Sequence, residues 1–368
     1  MQELAPRASV APGGPALHAK ALPTFHDATA WHGPDMARQQ RWIHLLDAAD
    51  VAELDAAVAY AMGRSADLVS LTAADFPLPR LGARLREIRR EVLMGCAFAL
   101  IRGWPSEQRS LEQSAYAFRG VGAHLGDEAL SQNGKGHVIG HVANLGLDYS
   151  DPTTRGYQTT AELRYHVDAG DIVGLLCVRR SRSGGLSKIA SATTVWNTLV
   201  QRRPDLARAL TEPVAFTRWG EIGEGQGPFY ELPPFQFAGG RVVTVYLPGA
   251  THKAQVLEGA RQLTEPQIEA LKLVNEIADD PAIRLEMDFR NGDMQFLCNH
   301  FTLHSRTSYE DWPEPERRRH LLRLWLACND GPELPPSHTS EFQLPTVAGR
   351  PSGIHVPGVV KSAPLQPI

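Results

Sequence analysis

A chain of 368 residues with 43% hydrophobic and 21% charged side chains can bury a sizeable core, which excludes a disordered or fibrous protein. Its net charge of -4, from 37 basic and 41 acidic residues, supplies no positive field for nucleic acid or an anionic membrane. No apolar run is long enough to span a bilayer and no signal-peptide pattern opens the sequence, so a cytoplasmic protein is expected. The four cysteines, Cys96, Cys177, Cys298 and Cys328, are scattered through apolar runs and read as free buried thiols, without a disulfide frame or a zinc pattern.

Residues 1–50 begin with Pro, Gly and Ala and lack periodicity, which predicts a partly irregular N-terminal arm. Apolar residues at helical spacing then predict helices over 51–62 and 81–94. A buried strand follows over 96–101, and Ser110 with Gln113 opens a third helix that runs to Leu125. Glycines and polar residues fill 136–158, which reads as an irregular segment; His137, His141, Asn144 and Tyr149 make it either a lid over a site or an exposed polar loop.

Downstream the chain is rich in short strands, predicted at 172–178, 214–218, 242–247, 285–289, 294–298 and 321–327. Helices interrupt them at 195–209 and 264–278, the latter opened by a capping box of Thr264 and Gln267. Such an order fits a mostly β protein with α insertions, a jelly roll flanked by helices, better than a doubly wound parallel sheet. The expected organisation is the arm 1–50, one domain over 51–330 and a Pro- and Ser-rich C-terminal tail over 331–368 that wraps the surface or frays.

Three pieces carry chemistry. His166 and Asp168, at i and i+2, point to one side of an extended segment and can bind a metal; the alternative is a surface histidine hydrogen-bonded to its neighbour. His304, beyond the buried strand at 294–298, can complete the two-His, one-carboxylate triad that leaves positions open on non-haem Fe(II), or can be a satisfied core histidine. The third piece is the strand from Arg319 to Leu326. It alternates, with Arg319, Leu321, Arg323 and Trp325 on one face and His320, Leu322, Leu324 and Leu326 on the other. Two arginines on an apolar strand are costly unless they meet anions, and the guanidinium fork suits a dicarboxylate cosubstrate or an acidic substrate; the alternative is a solvated edge strand. If the strand pattern extends backward from the ligands, Glu162 and Arg164 share their face and either line a substrate pocket or form a structural bridge.

The succession His-X-Asp, a distal His and Arg-x-x-x-Arg on the last core strand resembles the taurine dioxygenase-like family of Fe(II)- and 2-oxoglutarate-dependent oxygenases. The resemblance spans roughly residues 97–327 and is densest over 161–191 and 288–326. It implies a double-stranded β-helix core, His166, Asp168 and His304 as iron ligands, and Arg319 as the grip on the distal carboxylate of 2-oxoglutarate. It also implies that Ser187, in Ser183-Gly-Gly-Leu-Ser187, touches 2-oxoglutarate and that Arg323 meets the substrate. The activity implied uses Fe(II), 2-oxoglutarate and O2 to oxidise an aliphatic C–H of a small molecule, by default hydroxylating it, with release of succinate and CO2. Desaturation or cyclisation can follow from the same cofactors. A jelly roll that binds an acid without catalysis is the reading from another class, and the intact His166, Asp168, His304 and Arg319 speak against it. No nucleic acid or membrane is expected as a partner, and the oligomeric state is left open.

Overall fold

A computed structural model describes residues 21–147, 155–337 and 349–367. Part of the expected arm (1–20), part of the glycine-rich segment (148–154, with Tyr149) and part of the tail (338–348 and 368) lie outside the described residues.

Two sheets organise the molecule. The larger has the order Ile43–Leu45, Phe98–Arg102, Met294–Cys298, Ile172–Arg179, His320–Ala327 and Glu128–Ala129, with Gly140–Ala143 also paired to His320–Ala327. The smaller has the order Leu285–Met287, Ser187–Ser191, Thr302–Arg306 and Leu163–His166. Among the described residues neither sheet closes on itself, and the core is mostly β with helices packed outside it.

Alternation along the strands decides what each face meets. Leu322, Leu324 and Leu326 join one apolar cluster with helices Ala48–Gly63, Leu81–Met94 and Leu111–Leu125. Leu303, Ala190 and Tyr165 of the smaller sheet join another, covered by Ala192–Arg202, Pro204–Ala209 and Glu265–Ala278. Between the sheets a third cluster mixes Leu321, Trp325, Val173 and Leu297 from the larger with Ile189, Leu285 and Met287 from the smaller. The face predicted for Leu321, Arg323 and Trp325 is therefore the one turned toward the smaller sheet. All four cysteines are free and buried, as composition led one to expect.

Several elements differ from expectation for local reasons. Ala97 sits at φ 71°, outside the extended region, so its strand begins only at Phe98. Pro204 has no N–H to continue the preceding helix and instead opens a new one, so the span 195–209 is two helices, the first starting at Ala192 under a Ser191 cap. The segment 136–158 is not irregular throughout: Gly140–Ala143 is a strand held by His320–Arg323, a tertiary pairing that its own composition does not signal. The described part of the arm is packed, with helix Gly33–Gln39 and strand Ile43–Leu45 burying Trp31, Met36 and Trp42 beside Phe98. The described part of the tail is also built into the body through bridges from Gly353 to Ser131 and from Ser362 to His137. Among the described residues no helix is long and apolar enough to cross a membrane.

Candidate active site

His166 ends the edge strand of the smaller sheet and pairs directly with His304 on the neighbouring strand. Their rings lie 4.2 Å apart between centroids. Leu303 and Tyr165 point to the helices, so His304 and His166 point the other way, toward the larger sheet. Asp168, two residues past His166, turns into the same space, and His304 Nε2 lies 3.8 Å from Asp168 Oδ2. One donor atom from each of the three residues falls within 4.8 Å of the other two.

The protonation of these groups suits a metal. His166 Nδ1 lies 2.8 Å from the Arg164 carbonyl and donates to it, which leaves Nε2 as a free lone pair. Burial, with the neighbouring His166 next, pushes the His304 pKa down to about 3, so its imidazole is neutral. Burial would raise the pKa of Asp168, but Arg323, His304 and His166 outweigh it and hold the carboxyl below its ordinary value. Two neutral nitrogens and one carboxylate can hold a divalent first-row ion and leave positions open on it. His304 Nδ1 is buried without a hydrogen-bond partner among the described residues, so the ring is held by packing and by whatever its other nitrogen binds.

The two predicted arginines are both buried but have different surroundings. Arg323 Nη1 lies 3.4 Å from Asp168 Oδ2, and Nε donates to Gln132 Oε1 at 2.7 Å. Gln132 Nε2 donates in turn to the carbonyls of Val138 and Arg323. The guanidinium lies near the rings of Tyr157 and Trp325, at 4.9 and 5.0 Å from their centroids. Arg319 is buried over the Tyr309 ring, and its Nη1 has no hydrogen-bond partner among the described residues. A buried guanidinium nitrogen left open in this way is shaped to receive an anion. Gly185, at φ 71°, lies against it: a Cβ there would be 3.1 Å from Arg319 Nε. Ser187, two residues on, is buried and within 3.2 Å of Gln295 on the opposite sheet. Of the remaining sequence-derived residues, Glu162 pairs with Lys188 at 3.4 Å rather than with Arg164, and both Glu162 and Arg164 are exposed. Tyr157, Gln132 and Asn299, which supports Asp168 through its backbone N–H, were not singled out as site residues. The register of the last strand could have pointed to Gln132 only with its long-range partner known.

A family model described as the taurine catabolism dioxygenase TauD, TfdA family matches residues 64–325. The chain belongs to this family. It is accordingly a 2-oxoglutarate-dependent non-haem iron dioxygenase, with O2 as the second cosubstrate. FR-33289 synthase of Streptomyces rubellomurinus is 30% identical over 329 residues, 88% of this chain and 96% of the relative. The taurine hydroxylase-like protein SAT17 of Stachybotrys chartarum is 29% identical over 314 residues, 82% and 79% of the two chains. Among solved structures, asparagine oxygenase with Fe(II), 2S,3S-3-hydroxyasparagine and succinate aligns with a TM-score of 0.59 at 18% identity, covering 78% of this chain and 93% of that one. The non-haem iron oxygenase OrfP with Fe and alpha-ketoglutaric acid aligns at 0.56 and 15%, covering 77% and 94%. At these identities the structural likeness is one of fold.

Outside the triad, a second histidine pair sets an acid limit on the fold. His141 Nε2 donates to the Pro364 carbonyl at 2.7 Å, so its Nδ1 accepts from His320 Nε2, also at 2.7 Å. His141 must be neutral for this chain to hold, and the Arg179 guanidinium facing His320 Nδ1 at 3.5 Å keeps the His320 ring neutral as well. Burial, then His141 and Arg179, push the His320 pKa from 6.5 down to about 3. The unfolded chain therefore takes up this proton first, and stability present above pH 6.5 is lost as the pH falls toward 3. The urea midpoint is expected to drop steadily on acidification, and less steeply in His320→Phe; a midpoint flat across this range, or equal slopes in both proteins, would contradict the assignment.

Proposed function

We propose that His166, Asp168 and His304 hold Fe(II), that Arg319 and Ser187 seat 2-oxoglutarate, and that the enzyme hydroxylates an aliphatic C–H of a small anionic substrate, releasing succinate and CO2. The two sheets are read as the halves of a double-stranded β-helix with the site between them. The observation that carries the reading is the convergence of three donors within 4.8 Å, with both histidines held neutral and the carboxylate held ionised.

When bound, the iron supplies the redox chemistry that couples O2 and 2-oxoglutarate to C–H oxidation. The protein's own groups decide where that chemistry falls. Asp168 offsets part of the metal's charge, and the Arg164 carbonyl keeps the Nε2 lone pair of His166 aimed inward. Arg319 offers Nη1, which has no partner among the described residues, to the distal carboxylate of 2-oxoglutarate. Arg323 stands 3.4 Å from Asp168, so a substrate anion gripped there lies beside the metal, with its neighbouring C–H groups presented to the reacting centre. Gln132, Tyr157 and Trp325 hold that guanidinium in place, which orients the anion as well as binding it. Glu162 and Arg164 are assigned to the outer rim, where they face solvent. Hydroxylation is favoured because the asparagine oxygenase and OrfP structures hold hydroxylated amino acids.

Anaerobic addition of Fe(II) and then 2-oxoglutarate to the purified protein is expected to give a weak visible charge-transfer band at one equivalent of each. Stoichiometric iron binding without such a band would overturn the seating of 2-oxoglutarate at the metal.

A further inference from the structure

Asp168 opens a tight turn that ends at Asp171, and this turn is pinned at several points. Asn299 Oδ1 accepts the Asp168 N–H at 3.0 Å, its Nδ2 donates to the Gly170 carbonyl at 3.1 Å, and its own N–H donates to the Asp171 carbonyl at 3.0 Å. The Asp171 carboxylate is fully buried and accepts from four donors. His300 Nε2 and the Cys328 N–H each lie at 2.7 Å; the other two are Nε, at 3.2 Å, and Nη2 of Arg350. Burial would raise the Asp171 pKa, but His300 and Arg350 outweigh it and keep the group ionised.

Arg350 comes from the C-terminal segment, beyond the residues 64–325 that the family model matches. It is itself buried, and its third nitrogen donates to the Pro332 carbonyl at 2.6 Å. Gly331 makes the seat: a Cβ there would collide with the guanidinium. The same segment continues alongside residues 131–138, where the Ile354 N–H donates to the Ser131 carbonyl at 2.9 Å and the Val138 N–H to that of Ser362 at 2.8 Å. It thus flanks Gln132, the brace of Arg323. A surface tail needs no buried fork on a buried carboxylate. Pairs of this kind add little net stability relative to apolar packing, yet they lock geometry, and groups that hold a ligand from behind tune the metal it binds.

We propose that Arg350 is a positioning residue: through Asp171 it fixes the 168–171 turn and so the direction in which Asp168 presents its carboxylate to His166 and His304. The inference rests on reading Asp168 as an iron ligand. The C-terminal segment then belongs to the active-site scaffold.

Co(II), a spectroscopically visible stand-in for Fe(II), separates a positioning role from a merely structural one. Full-length wild type, Arg350→Met, Arg350→Lys and Asp168→Ala would be titrated well below each protein's melting midpoint. Arg350→Met is expected to weaken Co(II) binding by about 10- to 100-fold and to shift the ligand-field bands, with unchanged far-ultraviolet dichroism and partial recovery in Arg350→Lys. Should the lone Asp171 charge prevent folding, the double variant Arg350→Met with Asp171→Asn removes both charges and carries the same expectation. Wild-type affinity and spectrum in either folded variant, beside a lowered melting midpoint and lost binding in Asp168→Ala, would overturn the proposal while sparing the iron site. Failure of the wild-type protein to bind Co(II) would overturn the triad reading and this proposal with it.

Discussion

Asp168→Ala protein is expected to fold and to lose stoichiometric Fe(II) binding, with turnover below detection in a succinate-release assay. The fold should survive because the backbone N–H of Asp168, not its side chain, makes the contact to Asn299, and the adjoining Asp171 anchor is untouched. The metal site should not survive. Asp168 is the one anionic donor of the three, and its removal leaves two neutral imidazoles facing the Arg323 guanidinium, which repels a cation. Changing a group that merely supports a ligand commonly costs about 10- to 100-fold in metal affinity, so losing the charged ligand itself should exceed that. His166→Ala and His304→Ala should share the phenotype. Arg323→Ala should not, since it removes the positive charge beside Asp168 and leaves all three donors in place. Full succinate production by purified Asp168→Ala would refute the iron assignment.

The parts of this architecture that were legible in the sequence are those written in short-range periodicity. Alternation from Arg319 to Leu326 assigned the faces of the last strand, and the i, i+2 relation of His166 and Asp168 placed both on one side of an extended segment. Capping boxes gave the helix starts at Leu111 and Glu265. What stayed hidden depends on partners far along the chain. Gln132 lies in a polar, glycine-bearing stretch with no period, and only the returning strand at Arg323 gives it a role. Arg350 sits among prolines and serines that read as a tail wrapping the surface or fraying, because the carboxylate that orders it is at Asp171. The helix Gly33–Gln39 spans only seven residues, too few for a periodic signal, and is stabilised by burial of Met36 and by Trp42 donating to the Met36 carbonyl. Ion pairs were ambiguous in the same way: Glu162 had a plausible neighbour in Arg164, yet the fold brings Lys188 to it instead.

Arg319→Ala is expected to raise the 2-oxoglutarate dissociation constant steeply, and the companion Arg323→Ala to leave it nearly unchanged. Both arginines are buried, but their surroundings differ. Arg323 is already engaged, with Asp168 and Gln132 at its edge and the rings of Tyr157 and Trp325 close by. Arg319 has an open, buried Nη1 over Tyr309, and although burial lowers its pKa a guanidinium stays protonated at neutral pH. Truncating one partner of a buried, hydrogen-bonded charge pair costs about 2 to 5 kcal/mol, roughly thirtyfold to several-thousandfold in affinity. Arg319→Lys should recover only part of this, because an ammonium cannot reproduce the two parallel bonds of the fork. In Arg323→Ala the cosubstrate is expected still to bind and decay while the proposed substrate anion would lack its clamp, so succinate should form faster than hydroxylated product. The ratio of succinate to product, measured beside the 2-oxoglutarate dissociation constant, separates the two roles. Equal shifts of that constant in both alanine variants would remove the basis for giving Arg319 to the cosubstrate and Arg323 to the substrate.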